Sequence, residues 1–291
     1  MFSGAIVAIV TPFKDGMIDE KAFRDLINFV ITGGVSGIVP CGTTGESATL
    51  SHKEHKHVID ITVDEVGKRV PVIAGTGSNS TTEAIRLTRH AKDAGADAAL
   101  LITPYYNKPT QKGLVEHYKA VASACDIPQI LYNVPGRTGV NMSSATVVEL
   151  SKIDNIVGIK EASGDLVKCS QIVRDTQDDF CMLSGEDALN YPILCCGGAG
   201  AISVTANVLP DRVSALCAAW YALDIPTAKK IHLELLEINQ TLFIETNPIP
   251  VKTALAMMGM MHEEFKLPLC PMGDANKKML ASVLKRYGCI S

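Results

Sequence analysis

Lys160 closes the apolar run Asn155-Ile156-Val157-Gly158-Ile159 and is followed at once by the polar turn Glu161-Ala162-Ser163-Gly164-Asp165. Such a run reads as a strand and the turn as the opening of a helix, so an amine stands at a strand's C-terminal end. A lysine desolvated there loses proton affinity and becomes a nucleophile towards a ketone carbonyl; the chemistry this suggests is an enzyme-bound imine. The plainer alternative is a strand-ending lysine that packs its stem and keeps its head in water. Tyr132 ends another apolar run, Gln129-Ile130-Leu131, and a phenol one strand from an amine can shuttle protons. Packing of its ring is the bland alternative. In Gly42-Thr43-Thr44-Gly45-Glu46-Ser47 the glycines let backbone amides approach a ligand, and the two hydroxyls suit a small carboxylate better than a nucleotide. Alone, that loop could equally be a turn that needs glycine. Arg137, in Val134-Pro135-Gly136-Arg137-Thr138, adds a planar cation matched to a carboxylate, with a surface ion pair as the alternative.

What would bring these residues together is a repeating chain of strands and helices. Strand-like runs at 5–10, 37–39, 70–74, 98–102, 129–132, 156–160, 180–184 and 201–204 are apolar on both faces, as strands covered on both sides must be. Between them, Ser51-His52-Lys53-Glu54 and Ser80-Thr81-Thr82-Glu83 have the form of capping boxes, and Gly33-Gly34, Gly67 and Gly95 end successive helices. No Gly-x-Gly-x-x-Gly follows the first strand, so the expected fold is a closed (β/α)8 barrel rather than a doubly wound sheet. After Asp224 the pattern becomes helical at 227–245, 250–261 and 276–287, with Pro248 and Pro250 marking a break and a restart. The expected division is a barrel over 1–222 and a helical appendage over 223–291. In a barrel, the threonine loop, Tyr105-Tyr106, Tyr132, Arg137 and Lys160 all fall at the C-terminal mouth, where active sites are built. Convergence of a lysine, a phenol, hydroxyls and an arginine on one rim outweighs the separate bland readings.

Composition narrows the partners. The 291 residues are 47% hydrophobic, with interspersed charges summing to −4, one Trp and no basic stripe, which argues against nucleic acid. No apolar run reaches the roughly 18 residues that span a bilayer, and the apolar start at 1–10 lacks a signal peptide's basic flank, so a cytoplasmic protein is expected. Nine scattered cysteines with no C-x-x-C pair fit a reducing compartment. Only Cys41 adjoins the glycine-rich loop, and no histidine neighbours it in sequence to activate a thiolate, so it reads as core filling.

The threonine loop, Tyr132-Asn133-Val134-Pro135-Gly136-Arg137-Thr138-Gly139 and Gly158-Ile159-Lys160-Glu161-Ala162-Ser163-Gly164-Asp165 closely resemble the motifs of the 4-hydroxy-tetrahydrodipicolinate synthase (dihydrodipicolinate synthase) family. The resemblance spans the chain, from Gly4-Ala5-Ile6-Val7-Ala8-Ile9-Val10-Thr11-Pro12 to Thr246-Asn247-Pro248-Ile249-Pro250-Val251-Lys252. It implies that Lys160 forms an imine with pyruvate, whose enamine attacks L-aspartate 4-semialdehyde, with no cofactor beyond that covalent imine and no metal. It further implies a proton relay of Tyr132, Thr43 and Tyr106, the last supplied by an adjoining subunit; the assembly usual in the family is a homotetramer built as a dimer of dimers, and a dimer is compatible with the same residues. Thr43 and Thr44 would hold the pyruvate carboxylate, Arg137 the semialdehyde carboxylate, and Gly185 and Ile202 would complete the substrate pocket. By the same resemblance Ser47, Ala48, Leu50, His52, His55, Asn79, Glu83 and Tyr105 match an inhibitory L-lysine site, in which Glu83 suits an ammonium and Asn79 a carboxylate; a solvated helix face is the plainer alternative for His52, His55 and His57.

The lysine and the glycine-rich loop are shared with the wider pyruvate-dependent aldolases, among them N-acetylneuraminate lyase and keto-deoxy sugar acid aldolases. Arg137 argues against those, because it suits a short carboxylate-bearing aldehyde where a sugar needs room and hydroxyl partners. A non-catalytic sensor on the same barrel is disfavoured by the joint presence of Lys160, Tyr132 and Thr43.

Overall fold

In the computed structural model, which describes residues 2–291, eight parallel strands form one sheet. They are β1 (Gly4–Ala8), β2 (Gly37–Val39), β3 (Ile73–Gly75), β4 (Ala98–Ile102), β5 (Gln129–Asn133), β6 (Ile156–Glu161), β7 (Cys181–Ser184) and β8 (Gly200–Ser203). Their order, β2-β1-β8-β7-β6-β5-β4-β3, leaves β2 and β3 at the two ends, and a parallel bridge between Ile38 and Val72 joins them. The sheet is thereby a closed (β/α)8 barrel, the fold the alternating pattern predicts. Closure is tight. A side chain on Gly75 would meet the Cys41 carbonyl oxygen at 2.1 Å, so only glycine lets this strand approach the loop after β2.

The strands are apolar on both faces because each face has its own packing. Ile6, Val39, Ile73, Leu100, Ile130 and Leu183 fill the barrel interior, while Val7, Ile38, Leu101, Leu131 and Ile159 pack outward against helices. The helix starting at His52 carries the predicted capping box: Ser51 Oγ accepts from Glu54 N, and Glu54 Oε2 accepts from Ser51 N at 2.8 Å. The second predicted box is not made. Thr81–Ala94 is a helix, but Ser80 makes no side-chain cap; its N donates to Ser78 Oγ at 3.1 Å, and the Glu83 carboxylate, which a box would turn back to that amide, is engaged by Ser78 Oγ and by His52 Nε2. Gly67 and Gly95 end their helices in the left-handed conformation, as read from sequence.

A hairpin after β1 lies outside the sequence reading. It pairs Phe13–Lys14 with Met17–Ile18 and turns at Asp15 and Gly16, both at positive φ. The C-terminal helices, Ile225–Thr241, Ile249–Met257 and Asp274–Arg286, are each close to the predicted span. Their Leu235, Ile238, Val251, Leu255 and Leu284 belong to the same apolar cluster as Val7, Ile27 and Ile38, so the tail shares the barrel's outer core.

Candidate active site

The parallel register of β5 and β6 sets Tyr132 directly opposite Lys160. Both are 6% exposed, and Lys160 Nζ lies 4.4 Å from the centre of the Tyr132 ring. Tyr132 belongs to the interior cluster of the barrel, so the pair faces inward. A side chain on Gly185, just after β7, would come within 3.0 Å of Lys160 Cε and 2.7 Å of Ala162 Cβ. Glycine there leaves the lysine its channel. Ile202, in β8, is 2% exposed and lines the same interior.

Thr43 and Thr44 follow β2. Thr43 lines both a small cavity of about 30 Å³ that it shares with Tyr132 and Gly42 and a larger one of about 530 Å³ at the mouth. Thr44 is buried, and its Oγ1 accepts from Asn247 Nδ2 at 3.0 Å. Arg137 sits on the one-turn helix Pro135–Thr138 after β5 and also lines the larger cavity. Among the described residues it has no carboxylate partner; its Nη2 donates to the Asn247 carbonyl at 3.2 Å. The ion pair considered as its plainer role is therefore not present. A guanidinium exposed at a concave mouth is available to a ligand carboxylate.

Cys41 is inert. Its thiol is 3% exposed, burial pushes its pKa far up, and Sγ donates to the His55 carbonyl. Tyr106 does not join the other groups. It is 89% exposed and adopts a positive φ of 71°, outside both cavities.

Of the eight residues expected to bind lysine, all but Asn79 line the larger cavity together with Thr43 and Arg137. His52 Nε2 is 3.1 Å from Glu83 Oε1, and burial, with the Glu83 charge second, raises the Tyr105 phenol's pKa. His55 is 5% exposed, and burial holds its pKa below the ordinary value; the partner of Nε2, the Gly75 carbonyl at 2.8 Å, selects the neutral tautomer protonated there. His52 is exposed at the helix start, whereas His55 is a core residue, so the histidines are not one solvated face.

Several groups of the site carried no sequence-based role. Glu46, at φ 56°, is fully covered and accepts from Lys252 Nζ and from Lys266 N at 3.0 Å. Burial lowers the Lys252 pKa to about 8 against the pull of Glu46. The ammonium lies 4.2 Å from the Phe13 ring. Glu186 follows Gly185; burial first, then Asp187, raises its carboxyl pKa, and the charge of Lys160 opposes them. A polar Thr246-Asn247 before Pro248 and a glutamate beside Gly45 were the only signals available.

A lysine, a phenol, hydroxyls and a guanidinium are thus gathered at the C-terminal mouth of the barrel. The model of the dihydrodipicolinate synthetase family matches residues 1–287. The chain belongs to that family. The 4-hydroxy-tetrahydrodipicolinate synthase of Geobacter sulfurreducens is 56% identical over 290 residues, covering 100% of both chains. A crystal structure of the chloride-inhibited dihydrodipicolinate synthase of Acinetobacter baumannii complexed with pyruvate has a TM-score of 0.98 at 48% identity, covering 100% of both. That of Cyanidioschyzon merolae with lysine bound has a TM-score of 0.97 at 38% identity, covering 99% of both. The family is one of Schiff-base enzymes of the aldolase type, which accords with an inward lysine. No helix among the described residues is long and apolar enough to cross a membrane.

Proposed function

We propose that this chain condenses pyruvate with L-aspartate 4-semialdehyde through an imine on Lys160, giving 4-hydroxy-tetrahydrodipicolinate in the diaminopimelate route to L-lysine. The carrying observation is the buried pair of Lys160 and Tyr132, 4.4 Å from amine to ring centre, in a chain of this family. The Lys160 amine adds to the pyruvate ketone, and the carbinolamine loses water to give the imine. The imine is a better electron sink than the ketone, so the methyl group gives up a proton and the resulting enamine attacks the semialdehyde carbonyl. The amine of the semialdehyde unit then displaces Lys160 as the ring closes. No separate cofactor enters this route, because the imine itself holds the electrons.

Tyr132 and Thr43 move the protons, with Tyr106 from an adjoining copy of the chain completing the relay. The burial of Tyr132 at the amine and the 89% exposure of Tyr106 support these assignments. Thr43 and Thr44 take the pyruvate carboxylate, Arg137 takes that of the semialdehyde, and Gly185 and Ile202 shape the pocket. The working assembly is a homotetramer, a dimer of dimers, in the cytoplasm. The barrel, 1–222, is the catalytic unit and 223–291 its helical appendage.

L-Lysine is the inhibitor, bound by Ser47, Ala48, Leu50, His52, His55, Asn79, Glu83 and Tyr105. A cavity that already joins most of these to Thr43 and Arg137 supports coupling to the active site. Two experiments test the reading. Borohydride reduction with pyruvate, followed by peptide mass mapping, should place the adduct on Lys160; an adduct on another lysine refutes the assignment. Initial rates should fall as L-lysine is titrated at fixed substrates, and a rate unchanged at about millimolar effector refutes inhibition while leaving the synthase reading intact.

A further inference from the structure

One residue beyond the reacting pair, the same two strands carry a buried amide and a buried carboxylate on their outer face, where a buried lysine of the following helix meets them. Alternation along β5 and β6 sends Asn133 and Glu161 to the helix side when Tyr132 and Lys160 face inward. Asn133 and Glu161 are register partners, as Tyr132 and Lys160 are. The Asn133 amide donates to both carboxylate oxygens of Glu161, at 3.0 and 3.1 Å. Ser163 N donates to Oε1 at 2.7 Å, and Lys168 Nζ, from the helix Leu166–Asp175, stands 3.2 Å from Oε2. Asn141 Oδ1 accepts from Lys168 Nζ at 2.6 Å and from Asn133 Nδ2 at 3.0 Å, while Asn133 Oδ1 accepts from Met142 N at 2.9 Å. Glu161 is 1% exposed and Lys168 6%.

Every charge in this cluster is paired, and every carboxylate oxygen has a donor. A buried ion pair gains little stability over an apolar substitute, but it can specify one geometry against others. Here the alternative would be costly for chemistry. A slip of one residue between β5 and β6 would turn Lys160 out and Glu161 in. A smaller shift would part the phenol from the amine.

We propose that Glu161, held by Asn133 and Lys168, is a positioning residue for imine formation: from outside the barrel it locks the ends of β5 and β6, and so sets Tyr132 against Lys160. The inference rests on Lys160 being the imine-forming residue.

The test is the rate at which pyruvate forms the borohydride-trappable adduct, measured per folded molecule with the adduct mapped. In Glu161→Leu/Lys168→Met both charges go together, so no lone buried ion remains. Its imine formation and kcat should fall by about 10- to 100-fold, as expected for misplaced reacting groups, with the KM for aspartate semialdehyde little changed. Glu161→Gln/Lys168→Met, which keeps an acceptor for Asn133, should recover most of the rate. Asn133→Ala breaks the same lock from the β5 side and should slow the adduct likewise, which keeps the proposal exposed if the first variant does not fold. A wild-type rate in the folded Leu/Met or Ala variants, or equal losses in the Leu/Met and Gln/Met variants, would overturn it while the adduct still maps to Lys160. An adduct that maps elsewhere in the wild-type enzyme overturns both this inference and the reading beneath it.

Discussion

The floor and the rim of the site are held by different means. At the floor, Lys160 and Tyr132 come from adjacent strands, and their spacing follows from backbone pairing and from neighbours within 30 residues. At the rim, Thr44 and Arg137 meet through Asn247, which is 203 residues from the first and 110 from the second. Glu46, in the threonine loop, is likewise held by Lys252, 206 residues on. The C-terminal segment is therefore a structural part of the mouth. Chemistry carried by strands is built locally, whereas the substrate-facing rim depends on how the whole chain returns on itself.

Loss of the floor alone should cost the most activity. Lys160→Ala should lower turnover by about 10³-fold or more, because the covalent route is lost and only substrate positioning remains. The thermal melt should stay near wild type, and the pyruvate adduct should vanish. Retained adduct would mean that the floor is not where the chemistry sits.

Next comes the anchor of the rim. Lys252→Met leaves the Glu46 carboxylate buried without its cation, which costs about 3–5 kcal/mol for such pairs. A urea titration should show that loss, and Glu46→Gln/Lys252→Met should recover most of it. If the single and double variants were equally stable, the pair would not be what holds the tail to the threonine loop.

Arg137→Ala separates floor from rim within catalysis. Loss of a charge-assisted partner should raise the KM for aspartate semialdehyde by about 10-fold or more, while pyruvate trapping on Lys160 continues at nearly its former rate. Equal losses in both steps would show that the arginine organises the entire site.

The smallest effect lies outside both regions and calibrates them. Burial lowers the His117 pKa from 6.5 to about 4; its Nε2 has no partner, while Nδ1 is 2.9 Å from Thr81 Oγ1. Well above pH 6.5 the imidazole is neutral in both folded and unfolded chains and contributes no pH dependence. As pH falls from 6.5 towards 4, the unfolded chain takes up the proton first, so stability is lost, by on the order of 1–3 kcal/mol. Denaturant midpoints at pH 7 and pH 5 should diverge less in His117→Phe than in the wild type. An unchanged slope would assign the acid sensitivity to other groups.

The order of strands and helices, and the side chains that end strands, were legible without coordinates, because burial on both faces writes continuous apolar runs and a strand's end is marked by its polar turn. Lys160, Tyr132, Thr43 and Arg137 could therefore be placed on one rim from sequence. The same local logic mispredicted the second capping box, since Glu83 answers to Ser78 and His52 across a loop and not to its own helix start. Asn247, the pair of Glu46 with Lys252, and the lock of Glu161 with Lys168 left no periodicity to find. A hydrogen bond or ion pair between distant residues depends on barrel closure and on the path of the C-terminal helices, and only the tertiary fold decides which polar side chains are buried together and must satisfy one another.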